Sequence, residues 1–429
     1  MLESAIAFAA VILLVFVRVP IAFSMALVGA TGFVIARGWE PAFFIIGEKA
    51  RRSAENYELS VVPLFILMGV FVGRAGMSGK LYAASNAFLG HLRGGLAMAT
   101  VVACGGFSAI CGSSLATAAT MAKVAMPPMR RYGYSDRLAA GSIAAGGTLG
   151  ILIPPSVILV LYGIMVRQDI GKLFAAGLLP GLVGILFYMG AIRFMVWWKP
   201  ELGPAADRSD WRARMRALSK VWGVLLLFIV VIGGIYWGVF TPTEAGGIGA
   251  FGAFTFALLS RQLNWRRLFG ILAETAVTTS MLFFVLIGAL IFADYINETD
   301  MPNQLAFVIQ SMEVPRMLVL LIILLIYLGL GCVFESLSML LLTVPVFVPI
   351  ISALGFDLIW FGIVIVVVTE ISLITPPIGM NVFVLRGILR DVTTGTIFAG
   401  VTPFWIADIF RLTLIVLVPW ISLFLPSLM

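Results

Sequence analysis

Two adjacent prolines occur twice in this chain, each time inside an apolar stretch, and they constrain the fold more than any other feature. The first pair lies in Gly146-Gly-Thr-Leu-Gly-Ile-Leu-Ile-Pro-Pro-Ser156, within an apolar segment from about Leu138 to Val166. Proline removes a backbone donor and clashes with the preceding helical turn. The residue before it is pushed towards extended geometry. A broken helix is therefore expected, with one half ending near Gly150 and the other starting near Pro154 or Pro155. The second pair lies in Glu370-Ile-Ser-Leu-Ile-Thr-Pro-Pro-Ile-Gly-Met-Asn381, and Pro376 follows Pro154 by 222 residues. The same spacing pairs Pro155 with Pro377, Pro127 with Pro349 and Ser114 with Ser336. For either segment alone, a proline kink without a ligand is the alternative. Together they read as corresponding parts of two related halves. Unwound backbone at membrane depth survives only where it is buried in protein or lines a polar cavity. Paired interruptions of this kind point to the binding site of a secondary transporter.

That reading needs a membrane, and the composition supplies one. Of 429 residues 61% are hydrophobic and 11% charged, and the mean hydropathy is +1.09. This is a polytopic membrane protein. The formal charge of +7 is no nucleic-acid signal, because the basic residues fall mostly in short connections between apolar runs, as the positive-inside bias expects. Cys104, Cys111 and Cys332 all lie in apolar surroundings and read as packing residues. His91 is the only histidine, which excludes a multi-histidine metal site. The apolar run Ala5–Val17 is expected to be a retained membrane helix, since Glu3 stands where a signal peptide is basic.

Taken in order, Ala5–Val17 and Ile21–Ala36 are expected spans, and Trp39–Leu59 an amphipathic interfacial helix. Ser60–Gly73 is a further span, and Lys80–Arg93 a polar connection. Leu96–Met129 is interrupted at Cys111-Gly-Ser-Ser-Leu-Ala-Thr117, and its arms of about 15 residues each fall short of the roughly 20 needed to cross. A re-entrant hairpin is expected, its returning helix capped by Ser113 or Ser114. The alternative is a pair of full helices with a tight turn. The first broken helix follows, then a span over Phe174–Trp197 and the arginine-rich Lys199–Lys220 stretch, assigned to the cytoplasm. Val221–Phe240 and Ala245–Leu259 are joined by Thr241-Pro-Thr-Glu-Ala245, with Glu244 expected to cap the second. Ile271–Ala293 leads to an acidic stretch, Asp294–Asn303. Met317–Ile351 is interrupted at Gly331-Cys-Val-Phe-Glu-Ser-Leu-Ser338, a second hairpin. The second broken helix, from about Leu358 to Leu389, and a last span over Ile397–Leu425 complete the chain.

Counting from Lys199–Lys220 places the N-terminus outside, the first hairpin entering from the cytoplasm and the second from outside, so the halves have inverted topology. Lys49, Arg51 and Arg52 then fall outside, balanced by Glu48, Glu55 and Glu58. Glu370 is a carboxylate in an apolar segment, which is costly and a functional candidate unless an arginine pairs with it. Asp408 and Arg411 are i,i+3 partners in the last span.

Cys111-Gly-Ser-Ser114, Gly146–Ser156, Thr241–Ala245 and Ile374-Thr-Pro-Pro-Ile-Gly379, in this order over essentially the whole chain, resemble the large membrane subunit of the TRAP (tripartite ATP-independent periplasmic) transporters. The second tip departs from the family at Phe334-Glu335, where an aspartate is more usual. The resemblance implies an all-α, elevator-type transporter of inverted repeats. It also implies an organic-acid substrate, such as a dicarboxylate or sugar acid, delivered by a periplasmic binding protein. A small membrane subunit, sodium as coupling ion and the bacterial inner membrane are implied too. No phosphate loop of the Gly-x-x-x-x-Gly-Lys type occurs.

Sodium takes hard oxygen ligands, which unwound carbonyls and hydroxyls provide. One ion site is expected at Gly112, Ser113, Ser114, Gly147 and Gly150, and another at Glu335, Ser336, Ser338, Thr375 and Pro376. The substrate carboxylate belongs between the tips, near half-helix N-termini. Ser114, Thr117, Pro154, Ser156, Thr375, Gly379 and Asn381 are its expected surroundings, with the prolines opening the breaks rather than donating. Residues 96–166 and 294–389 form the expected transport domain, and 1–95, 167–293 and 390–429 the scaffold. The runner-up is a self-sufficient sodium-coupled carboxylate carrier. An intramembrane hydrolase lacks its His-Glu-x-x-His, and a channel would require flux without substrate.

Overall fold

The computed structural model describes residues 2–311 and 314–429, and the regular structure among them is entirely helical. The chain opens with α1 (Leu2–Phe16) and α2 (Ile21–Arg37), which turn at Arg18-Val-Pro20. Next comes α3 (Trp39–Glu55), whose charges are matched within and beyond the helix. Arg51 and Arg52 pair with Glu48, holding its carboxyl down at about 2, and Lys49 Nζ lies 2.7 Å from Asp294.

A short 3₁₀ turn leads to α4 (Val61–Arg74) and then α5 (Met77–Leu89). The latter corrects the expectation of a polar connection over Lys80–Arg93. Its Leu81, Tyr82, Ala84 and Ala87 bury one face, a pattern that the scattered Ser, Asn and Lys obscure in the sequence. A frame forms around α14 (Trp265–Glu298), whose 34 residues span roughly 50 Å at 1.5 Å per residue. It packs along α2 and α4, while α4 lies along α13 (Pro242–Leu259). Small residues permit the approach. A Cβ on Gly29 would stand 2.8 Å from the Phe292 Cα, and one on Gly249 would stand 2.5 Å from the Met68 sulfur. The acidic stretch after Ala293 continues α14 to Glu298, with Glu298 held by Arg37 at 2.6 Å.

Each half contributes a hairpin and a broken helix. In the first, α6 (Gly95–Cys111) and α7 (Ser114–Arg131) form the hairpin, and α8 (Asp136–Thr148) and α9 (Val157–Val166) the broken helix. A long helix, α10 (Ile170–Trp198), leads to the basic loop, which carries α11 (Trp211–Leu218) ahead of α12 (Trp222–Tyr236). Thr241 and Glu244 form a reciprocal capping box opening α13. In the second half α15 (Met301–Ser311) precedes a hairpin of α16 (Arg316–Gly331) and α17 (Ser336–Ala353). The broken helix is α18 (Leu358–Ser372) with α19 (Met380–Ile388), and α20 (Thr394–Leu417) and α21 (Trp420–Leu423) end the chain.

The hairpins enter from opposite faces. The outer ends of the first are tied to the basic loop: Gly94 N donates to Gly203 O at 2.8 Å and Ser135 N to Leu202 O at 3.1 Å. The second hairpin ends at the far face, where Gln310 donates to Ala353 O at 3.2 Å and the Arg316 guanidinium covers the Phe356 ring. Five described helices are long and apolar enough to cross a membrane alone, α17 of the second hairpin among them, whereas α6, α9, α16 and α18 are shorter apolar helices.

Candidate functional site

The first tip closes with Gly112 at φ +62°, a left-handed position that suits glycine. Ser113 follows as the cap of α7, accepting from Ala116 N at 3.4 Å. The tip rests on the first break, where α8 gives way to a 3₁₀ turn over Leu149–Ile151 and the Pro154–Pro155 peptide is cis. Contact there is close and mostly backbone on backbone. A Cβ on Gly150 would stand 2.8 Å from the Ser113 carbonyl, one on Gly147 2.8 Å from the Ala118 Cβ, and one on Gly112 3.0 Å from Pro155 O. Gly112, Ser113, Ser114, Gly147 and Gly150 are thus brought together.

The second tip has a different cap. Glu335 accepts from Leu337 N at 3.2 Å, from Ser338 N at 3.3 Å, and from the hydroxyls of Ser336 and Ser338. Its carboxylate therefore sits at the positive end of α17. Cys332 Sγ donates to Pro376 O at 3.5 Å, which brings the tip to the break, and the Pro376–Pro377 peptide is cis as in the first half. Thr375 donates its hydroxyl to Ile371 O at 2.6 Å and accepts from Trp405 Nε1 at 2.8 Å. Gly331 faces Ser372 so closely that a Cβ there would strike the hydroxyl.

The expected substrate residues divide. Ser114 lines the cavity described below. Thr117, Ser156 and Asn381 are fully buried, and none of the three lines it. Ser156 caps α9, accepting from Leu159 N at 3.3 Å. Asn381 donates to Ala144 O at 3.0 Å, joining the two broken helices directly. Gly379, at φ +60°, opens α19 beside Phe398, and Pro154 lies buried in the first break. Two residues that the sequence did not single out belong to the second break: Ser372, against the tip, and Trp405, which fixes the Thr375 hydroxyl.

Both tips open into one cavity of about 1280 Å³. Ser113 and Ser114 line one side of it, and Glu335, Ser336 and Ser338 the other. Arg18, Arg74, Lys123 and Glu274 line its mouth. Arg74 pairs with Glu274 at 2.6 Å, leaving Arg18 and Lys123 without an ion pair among the described residues. The Lys123 side chain is exposed on α7, the helix that Ser113 caps. The mouth lies on the side of the basic loop, because α7 descends towards that loop and Glu274 sits in the first third of α14. Such a cavity combines the hydroxyl-bearing residues and the Glu335 carboxylate of the tips at its head with basic side chains at its mouth.

Residues 8–421 match the family model of the tripartite ATP-independent periplasmic transporter, DctM component. A C4-dicarboxylate TRAP transporter large permease protein from Pseudomonas aeruginosa is 37% identical over 382 residues, covering 88% of each chain. A sialic acid TRAP transporter large permease protein from Vibrio cholerae is 31% identical, covering 97% of this chain and 96% of its own. Among solved structures, the YdaH transporter of Alcanivorax borkumensis superposes with a TM-score of 0.64 at 15% identity, over 92% of this chain and 91% of its own, which speaks to the fold alone. With the motifs, the paired hairpins and these matches in agreement, the chain belongs to the DctM family of TRAP transporter large membrane subunits.

Proposed function

We propose that this chain is the transport-bearing subunit of a sodium-driven importer of an organic acid in the bacterial inner membrane. The single observation that carries the reading is the convergence of both hairpin tips on one cavity, each tip backed by its own helix break. Hydroxyls and freed carbonyls there suit sodium, and the capped N-termini of α7 and α17 favour a carboxylate between them. Dicarboxylates and sugar acids such as sialic acid are the candidate substrates, by likeness to the relatives named above. A periplasmic binding protein delivers the acid, and a small membrane subunit widens the static frame of α2, α4, α13 and α14.

The cavity mouth beside the basic loop corresponds to a cytoplasm-facing state under the positive-inside rule. Alternating access then follows if the two hairpins and broken helices slide against the frame as one body. The packing of α10 and α20 on α8 and α18 supports carrying both long helices with that body, beyond the hairpins and broken helices that the sequence assigned to it.

Uptake of labelled dicarboxylates and sialic acid into proteoliposomes, with and without a sodium gradient and binding protein, tests the reading. Accumulation requires both, and Ser114→Ala shifts the sodium activation curve to higher concentration. Sodium-independent uptake, or an unmoved curve in Ser114→Ala, contradicts it.

A further inference from the structure

A fully buried ion cluster lies outside the cavity, and no ion or substrate assignment uses it. Arg411 on α20 donates to Glu370 Oε2 on α18, and its Nη2 stands 3.0 Å from Asp408 Oδ1 on its own helix. Asp408 Oδ2 accepts from the Tyr188 hydroxyl on α10 at 2.6 Å. That hydroxyl lies 3.1 Å from Thr148 Oγ1, on the last residue of α8. All five side chains are inaccessible to solvent. Gly184, one turn from Tyr188 on α10, leaves the space that the guanidinium fills, and a Cβ there would strike Nη1.

The ends of this chain of contacts carry its meaning. Thr148 immediately precedes the first break, and Glu370 stands two residues before α18 ends at the second. The relay therefore runs from one break to the other through two intervening helices. Fold stability alone does not call for it, since apolar side chains of similar volume stabilise a buried site at least as well as ions do. Directional hydrogen bonds instead fix the distance and angle between the elements they join. A second tie, Asn381 to Ala144 O, joins the broken helices one turn before Thr148. Two separate ties thus join the segments that flank the breaks.

We propose that Thr148, Tyr188, Asp408 and Arg411 are positioning residues that hold the two breaks in fixed register through Glu370, so that an ion bound at one break biases the other. The inference rests on the reading that sodium binds at the breaks, and coupling between two sites of this kind is a reciprocal free energy. Tyr188→Phe cuts the relay while preserving shape and charge.

Two measurements on the full chain test it. In nanodiscs, Tyr188→Phe should speed amide hydrogen exchange in both 148–156 and 370–381, although only the first adjoins the substituted side chain. Faster exchange confined to α8 and α10, with 370–381 protected as in wild type, overturns the tie. Thr148→Ala, which deletes the far end of the relay and no charge, should reproduce the effect at 370–381. It decides the matter if Tyr188→Phe loses protection everywhere through misfolding. In proteoliposomes with the partner subunits, Tyr188→Phe should raise the sodium concentration for half-maximal uptake about fivefold and flatten the curve. A purely structural loss would lower uptake at every sodium concentration and leave the midpoint in place, contradicting the proposal. Coupled exchange in a protein whose uptake ignores sodium would keep the tie and remove the ion reading.

Discussion

Gly150 shows how single residues set the geometry of this site. Its missing side chain lets the break lie against the Ser113 carbonyl and the Ser114 amide nitrogen. The atoms in the way are backbone, which cannot rotate aside as a flexible side chain could. Gly150→Ala must therefore lift the first tip, separating carbonyl and hydroxyl oxygens that would share an ion. The expected outcome is loss of sodium-dependent uptake with normal membrane insertion, checked by uptake beside a gel-filtration profile; wild-type uptake would mean that the tip does not depend on this approach. The sequence flagged Gly150 because glycine before a Pro-Pro pair marks a break. It did not flag Ser372, whose place against Gly331 depends on how α18 packs on α16, and that is tertiary information. Glu370 was legible as a costly buried charge with an arginine for its alternative. The partner, Arg411, lies 41 residues away, and only the fold reveals it.

At the scale of elements, the breaks and hairpins were readable because proline and glycine act locally. The two Pro-Pro pairs, the Cys111–Thr117 tip and the Glu244 cap of α13 are where the sequence places them. Helices that owe their existence to packing were harder to read. The α5 helix looks polar in one dimension, yet it buries Leu81 and Tyr82 and packs on α6 and α11. The end of α14 reads only as an acidic stretch, and the fold shows Lys49 and Arg37 neutralising Asp294 and Glu298 on helical turns. Orientation follows from these elements. A cysteine at Ser209, in the basic loop, should react only with reagent added to the cytoplasmic side. One at Asn297, near the end of α14, should react only from the periplasm. Labelling of both from one side would contradict the inverted arrangement.

For the whole molecule, the account turns on one body sliding past another. Frame helix α4 meets the first hairpin at Gly69, where a Cβ would stand 3.1 Å from the Cys111 Cα. Cys111, Cys104 and Cys332 are all free thiols, so a single new cysteine at Gly69 can be joined to Cys111 once the other two are replaced by serine or alanine. A disulfide there would fasten the tip to the frame in the cytoplasm-facing state. The measurement is substrate uptake by Gly69→Cys in proteoliposomes with its partner subunits, before and after oxidation and again after reduction. The account predicts uptake in the reduced protein, its loss on cross-linking and its return with reductant. Sodium binding should survive in the cross-linked form, because both proposed ion sites lie within the proposed sliding body. Undiminished uptake through quantitatively cross-linked protein would contradict the sliding body and leave local gating at the tips as the mechanism.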